Sequence, residues 1–136
     1  MDYVADLEKL RNNYERPVIG INDQVTPREA ARYLWASKNI IGTKVLDIGC
    51  ASGFGVRFFS NIPNLDYKGI DYDPSIIEFA KKNYGENLFE VGDITSYNYE
   101  YYDTIIAFEV LEHIENGKEV AQELKKHCKC LLATIP

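Results

Sequence analysis

The chain has 136 residues and a net charge of -6, with 46% hydrophobic and 26% charged residues. This length and balance predict one globular domain and exclude a fibrous or low-complexity chain. The acidic balance disfavours nucleic acids and anionic membranes as partners. No apolar run approaches the roughly 20 residues of a membrane span. Because the charged N-terminus lacks the apolar stretch of a signal peptide, we expect a cytoplasmic protein.

The cysteines are few and widely spaced. Cys50, Cys128 and Cys130 are odd in number and show no C-x-x-C spacing. This pattern does not indicate a disulfide framework or a zinc site. We therefore expect reduced thiols that serve as small core residues.

Helical signals and short apolar runs alternate along the chain. In chain order they predict helices at 4–10 and 26–39, a strand at 44–48, a helix at 55–60, a strand at 67–71, a helix at 73–84, strands at 88–91 and 102–108, a helix at 116–127 and a strand at 130–135. Thr26, Pro27 and Glu29 form a capping-box signal at the start of the second helix. Strands that are nearly all apolar and alternate with helices indicate an α/β fold with a parallel sheet covered on both faces.

A glycine-bearing loop follows the first predicted strand, in the sequence Asp-Ile-Gly-Cys-Ala-Ser-Gly-Phe-Gly at 47–55. In parallel sheets the ligand site lies outside the carboxyl ends of the strands, so this loop is a candidate site. The dinucleotide fingerprint G-x-G-x-x-G fails, because counting from Gly49 places Ala51 and Phe54 at the other glycine positions. Asp47 precedes the loop and would suit a cationic or amine-bearing ligand group.

This loop resembles the first motif of the class I S-adenosylmethionine-dependent methyltransferases, acid-x-Gly-x-Gly-x-Gly, with Ala51 in place of the middle glycine. Three further family motifs match in order, at 69–72, 92–94 and 102–114, so the resemblance covers roughly residues 44–135. It implies that S-adenosylmethionine is the cofactor. It also implies cofactor contacts by Asp47, Gly49, Cys50, Ala51, Gly53, Asp71, Tyr72, Asp93, Ile94 and Phe108.

The resemblance assigns individual roles to four of these residues. Asp71 would accept hydrogen bonds from both ribose hydroxyls, and Tyr72 would lie beside the adenine. Asp93 would accept from the adenine amino group, and the amide of Ile94 would meet the ring. The spacing of about twenty residues between the glycine loop and Asp71 also suits ribose recognition.

The family fold is a Rossmann-like doubly wound parallel sheet of strand order 3-2-1-4-5. The resemblance therefore implies a single domain over 1–136, with an N-terminal helical cap at 1–42 and a cofactor-binding core at 43–136. Family members normally add a sixth and a seventh strand, for which this chain shows no sequence after 136. We expect the sheet edge exposed in this way to invite an oligomer or a partner chain.

The segment Glu-Val-Leu-Glu-His at 109–113 resembles a signature of small-molecule O-methyltransferases of the ubiquinone-biosynthesis type. If it begins a helix, Glu109, Glu112 and His113 share one face near the expected methyl group. His113 is then a candidate general base, and a purely structural hydrogen-bonding role is the alternative. The three could also hold a divalent metal, as a similar set does in small-RNA 3′-end methyltransferases. We do not expect a metal, because His127 lies too far along the next helix to complete the ligand set.

Two functions of different classes follow from this sequence. The first is a methyltransferase that acts on the hydroxyl of a small-molecule or sugar acceptor. The second is a catalytically incomplete S-adenosylmethionine-binding domain, or a truncated fragment that serves as a partner module. The short carboxyl end favours the second, and the ordered set of motifs favours the first.

Overall fold

The structure is a computed structural model and describes residues 25–134, so the helix predicted at 4–10 lies outside the described residues. In chain order the elements are α1 (Pro27–Asn39), β1 (Lys44–Ile48), a 3-10 helix (Phe54–Phe59), β2 (Asp66–Asp71), α2 (Pro74–Tyr84), a 3-10 helix (Glu86–Leu88), β3 (Phe89–Val91), β4 (Tyr102–Ala107), a 3-10 helix (Leu111–His113), α3 (Gly117–Lys125) and β5 (Cys128–Ala133). The alternation of strands and helices confirms the predicted α/β class.

The five strands form one parallel sheet in the order β3-β2-β1-β4-β5. This is the Rossmann-like order that the resemblance implied. β1 is central, with Val45 paired to Tyr67 of β2 on one side and to Thr104 of β4 on the other. The strand order reverses between β1 and β4, so a crevice opens where the chain leaves these two strands.

Local signals fix the starts of the two longest helices. Thr26 and Glu29 form a reciprocal capping box at the start of α1, as predicted. Asp73 caps α2 by accepting from the amide of Ser75 at 2.9 Å, and α2 ends at Tyr84, just before Gly85. These side chains satisfy amides that have no partner within a helix, so each helix begins where its cap stands.

The sheet is covered on both faces, and a hydrophobic cluster fills each interface. Val45 belongs to the cluster on the side of α1 and α2, together with Tyr33 and Ile77. Leu46 belongs to the opposite cluster, which Leu124 of α3 completes. All three cysteines are free thiols, and Cys50 and Cys128 are buried, in agreement with their prediction as core residues. Within residues 25–134, no helix combines the length and the apolar character needed to cross a bilayer.

Two elements differ from the prediction. The helix predicted at 55–60 is a 3-10 helix over Phe54–Phe59, because this short connection turns back at Pro63 and Asn64 to reach β2. β5 begins at Cys128 rather than at residue 130. Cys128 pairs with Tyr102, so β4 and β5 start at the same level of the sheet. The charged side chain of Lys129 interrupts the apolar run, so the sequence pattern does not show that β5 starts at Cys128.

Candidate functional site

A cavity of about 550 Å³, the main cleft, lies at the carboxyl ends of the strands. It brings together residues that are distant in the sequence and that the sequence analysis assigned to the cofactor or to catalysis. These residues are Gly49, Asp71, Tyr72, Asp93, Ile94, Glu109 and His113. The place is the one that the topology of a parallel sheet predicts for a ligand.

Asp71 is the last residue of β2, and its carboxylate is held in place by the backbone. One oxygen accepts from the amide of Ala51 at 3.1 Å, and the other accepts from the amide of Asp73 at 3.1 Å. The first of these bonds ties the glycine loop to β2 and holds Ala51 at a φ of 50°. Asp71 therefore presents a fixed acceptor at the cleft before any ligand arrives.

The next two residues frame the same end of the cleft. The ring of Tyr72 is 80% exposed at the rim, where a planar ligand could pack against it. Asp93 accepts from the amide and the hydroxyl of Thr95 at 2.9 and 2.7 Å. These hydrogen bonds lower the pKa of Asp93 below its ordinary value, so the group is an ionised acceptor at neutral pH.

A smaller cavity of about 200 Å³, the side cavity, adjoins the main cleft and shares Gly49 and Glu109 with it. Its other lining residues come from α1, the glycine loop and the end of β4. They are Glu29, Arg32, Tyr33, Cys50, Ala51, Phe54 and Phe108. Three predicted cofactor residues, Cys50, Ala51 and Phe108, thus line this cavity instead of the main cleft.

Glu109 stands between the two cavities in an unusual backbone conformation. Its φ is +53°, and its amide donates to the hydroxyl of Thr134 at 2.6 Å. Its carboxylate forms an ion pair with Arg32 of α1. A hydrogen bond with Glu112 lowers the pKa of Glu109, and Arg32 and Arg28 lower it further. A strained, charged residue of this kind at a cleft is typical of functional sites.

The structure keeps the three predicted catalytic residues close together, since Glu112 hydrogen-bonds to Glu109 and lies 3.9 Å from the imidazole of His113, but only Glu109 and His113 line the main cleft. No helix begins at Glu109; the short 3-10 helix Leu111–His113 turns Glu112 away from the cleft, into a different cavity beside α3. The hydrogen bond with Glu109 and burial raise the pKa of Glu112 above its ordinary value. His113 lines the main cleft with its side chain 76% exposed. Among residues 25–134, no three His, Cys, Asp or Glu side chains group closely enough to hold a metal ion.

Asp47 and Gly53, at the start and in the middle of the glycine loop, line neither cavity. Asp47, predicted as a cofactor residue, is fully buried and accepts from the hydroxyls of Tyr33 and Tyr67. Burial raises its pKa from 3.8 to about 7, against the lowering effect of both hydroxyls, and nearby Asp71 raises it further. Gly53 has a φ of +85°, and a Cβ there would lie 2.6 Å from the Phe89 ring.

Cys50 lines the side cavity and also belongs to the hydrophobic core. The side chain is 1% exposed and belongs to the cluster beneath α1. Burial raises the pKa of the thiol, so it stays protonated and is not a nucleophile. The sequence did not indicate Arg32 or Thr134 as site residues. Arg32 lies in the middle of the predicted helix and has no local signal, whereas Thr134 lies near the end of the last predicted strand.

A family model described as a methyltransferase domain matches residues 41–133. A protein of Invertebrate iridescent virus 6 named "Putative methyltransferase 235L" is 36% identical over 74 residues, which are 53% of this chain and 28% of that protein.

Solved structures share the fold at lower identity. The plantazolicin methyltransferase BpumL, in complex with a monoazolic desmethylPZN analog and SAH, is 23% identical at a TM-score of 0.65, over 92% of this chain and 49% of its own. The [4+2]-cyclase SpnF is 17% identical at a TM-score of 0.64, over 94% and 54%. A tRNA (uracil-54, C5)-methyltransferase of Pyrococcus abyssi is 21% identical at a TM-score of 0.60, over 76% and 27%.

The chain spans about half the length of the BpumL and SpnF structures and about a quarter of the viral relative. The family model extends from just before β1 to the end of β5 and therefore includes every strand of the sheet and every residue that lines the main cleft. With this match over most of its length, the chain belongs to the methyltransferase-domain family.

Proposed function

We propose that this protein binds S-adenosylmethionine and transfers its methyl group to the hydroxyl of a small-molecule or carbohydrate acceptor. The observation that carries the proposal is the main cleft. There, the fixed carboxylate of Asp71, the exposed ring of Tyr72 and the ionised Asp93 converge beside Gly49. An acceptor pair for ribose hydroxyls, an aromatic wall and an acceptor for an exocyclic amine are what a bound adenosine requires.

The charges of the two cavities fit the rest of the cofactor. Glu109 carries a negative charge between them, which suits a sulfonium. The guanidinium of Arg32 lines the side cavity, and it could receive the carboxylate of the methionine end. Gly49, which both cavities share, lets the ligand pass close to the backbone. We therefore assign adenosine to the main cleft and the amino-acid end to the side cavity.

The cofactor supplies a methyl group that is already activated by the positive sulfur, so the protein has to position the acceptor and remove one proton. His113 is the candidate base, because its imidazole lines the main cleft and is accessible to an incoming hydroxyl. In the transfer, the acceptor oxygen bonds to the methyl carbon, the carbon–sulfur bond breaks with its electrons going to sulfur, and the hydroxyl proton passes to His113. The acidic chain, with a net charge of -6, favours an acceptor other than a nucleic acid.

The second candidate function is a cofactor-binding domain that does not complete the reaction by itself. One observation favours it: Glu112 lines a different cavity from the cleft that His113 lines. The cyclase SpnF also shows that this fold occurs in a protein named for a different reaction.

Calorimetry with S-adenosylmethionine and S-adenosylhomocysteine tests the part that both candidates share. Asp71→Asn should weaken binding about tenfold or more, because it removes charge from hydrogen bonds to the ribose. The matched control is Asp66→Asn, which alters an exposed carboxylate at the other end of β2 and should leave affinity unchanged.

A screen of hydroxyl-bearing acceptors for a gain of one methyl mass then separates the two candidates. Transfer to a small hydroxyl acceptor supports the first candidate. Tight cofactor binding with no transfer to any acceptor supports the second. Failure of the wild-type chain to bind either nucleoside would refute both.

A further inference from the structure

Helix α1 is tied to the sheet by a buried contact between a tyrosine hydroxyl and a carboxylate. The hydroxyl of Tyr33 lies 3.0 Å from each carboxylate oxygen of Asp47 on β1. Asp47 also accepts from the hydroxyl of Tyr67 at 2.7 Å, and that tyrosine belongs to β2. Both tyrosines are at most 5% exposed and Asp47 is not exposed at all, so water does not compete for these bonds.

The ring of Tyr33 occupies space that only a glycine at position 55 leaves free. A Cβ at Gly55 would lie 2.2 Å from the Tyr33 ring, so the last glycine of the loop makes room for this side chain. The ring packs edge-to-face on Phe54 at 5.0 Å and on Phe108 at 5.3 Å between centroids. Tyr33 is therefore fixed at its hydroxyl by β1 and at its ring by the glycine loop and the end of β4.

This anchor determines where the next residue of α1 stands. Arg32 precedes Tyr33, lines the side cavity and forms an ion pair with Glu109 across a separation of 77 residues. Tyr33, Phe54 and Phe108 are themselves walls of that cavity. A shift of Tyr33 would thus move both a wall and the one guanidinium that lines the cavity among the described residues.

We propose that Tyr33 is a positioning residue for the amino-acid end of the cofactor. Its hydrogen bond to Asp47 holds α1 so that Arg32 meets the carboxylate of the ligand. Asp47, the acid before the glycine loop, then acts on the site by holding Tyr33 and not by contacting the ligand. This inference rests on the proposed function, since it assigns the amino-acid end of S-adenosylmethionine to the side cavity.

The test compares two ligands and two matched variants by calorimetry. S-Adenosylhomocysteine carries the amino-acid end, whereas 5′-methylthioadenosine keeps the adenosine and the thioether without it. Tyr33→Phe should weaken binding of S-adenosylhomocysteine about tenfold and change that of 5′-methylthioadenosine less than about twofold. Tyr67→Phe removes the other hydroxyl from Asp47 but lies outside both cavities, so it should change neither affinity more than about twofold.

A second variant keeps the test decisive if Tyr33→Phe folds poorly. Arg32→Gln leaves the anchor intact and should show the same selective loss, and adding Tyr33→Phe to it should cause little further loss. Any one of three results would overturn the proposal. Tyr33→Phe could weaken the binding of both ligands equally, or the two tyrosine variants could have equal effects. The third result is that Arg32→Gln binds S-adenosylhomocysteine with full affinity. Because 5′-methylthioadenosine reports on the main cleft alone, its binding would uphold the proposed adenosine site in every such case. Failure of the wild-type chain to bind either ligand would instead refute the proposed function.

Discussion

The buried Asp47 makes the stability of this protein depend on pH in an unusual direction. Burial raises the pKa of Asp47 from 3.8 to about 7. Between these two values the folded protein keeps a proton that the unfolded chain has released. The contribution of Asp47 to stability therefore falls as the pH rises from about 4 to about 7, which is opposite to the behaviour of a salt-bridged carboxylate.

The size of the effect follows from the two pKa values. The rise from 3.8 to about 7 corresponds to a cost of about 4 kcal/mol that is absent below pH 4 and complete above pH 7. Between about pH 5.5 and about pH 7.5, this group alone should lower the free energy of unfolding by about 2 kcal/mol. Asp47→Asn has the same shape, carries no charge and can still hydrogen-bond to Tyr33 and Tyr67. It should remove this slope and be the more stable protein at pH 8.

Urea unfolding at several pH values provides the measurement. The single tryptophan, Trp35, stands on α1 about 6.4 Å from the ring of Phe108, and its fluorescence should report the loss of that packing. The control is Asp66→Asn, which removes the same charge from an exposed position on β2. If wild type and Asp47→Asn show parallel pH profiles, or if the variant is less stable at pH 8, the reasoning about Asp47 is refuted.

Two further substitutions test the loop and the candidate base. Gly53→Ala places a methyl group 2.6 Å from the Phe89 ring at a φ of +85°, so the free energy of unfolding should fall by about 2–4 kcal/mol in urea titrations. A loss below about 0.5 kcal/mol would contradict this packing. His113→Ala should lower turnover on an accepted hydroxyl substrate about 100-fold, whereas His127→Ala, paired with Glu123 on α3, should leave turnover unchanged. Equal turnover of the two histidine variants would remove His113 as the base.

Local chemistry explains the elements that the sequence predicted well. The capping box at Thr26 and the Asp73-Pro74 start of α2 satisfy amides within three residues, so the signals are complete in a short stretch of sequence. The strands of the sheet interior are short and nearly all apolar, which indicates burial on both faces without knowledge of their partners. The parallel order of these strands then follows from their alternation with helices.

Pairing between distant residues explains what the sequence did not reveal. The start of β5 is set by Tyr102 of β4, which lies 26 residues before its partner Cys128. The Arg32–Glu109 ion pair joins residues 77 positions apart. The positive φ of Glu109 ends the helical pattern that the sequence of 109–113 suggests. Neither contact has a periodic or capping signature, so each depends on the folded topology.

The position of an acid relative to the end of its strand separates the roles of Asp47 and Asp71. Side chains in a strand alternate between the two faces of the sheet. Asp47 therefore shares the face of Val45, which α1 and α2 cover, and β1 continues to Ile48 before the chain turns. Asp71 is the last residue of β2, so no further strand residue closes the sheet over it. Asp47 pairs with Gly69, so Asp71 lies two residues beyond the level of Asp47 in the sheet; the first carboxylate is buried against tyrosines and the second lies at the cleft. A motif that counts only residue types would treat the two acids alike, whereas their positions along the strands place one beneath α1 and the other at the cleft.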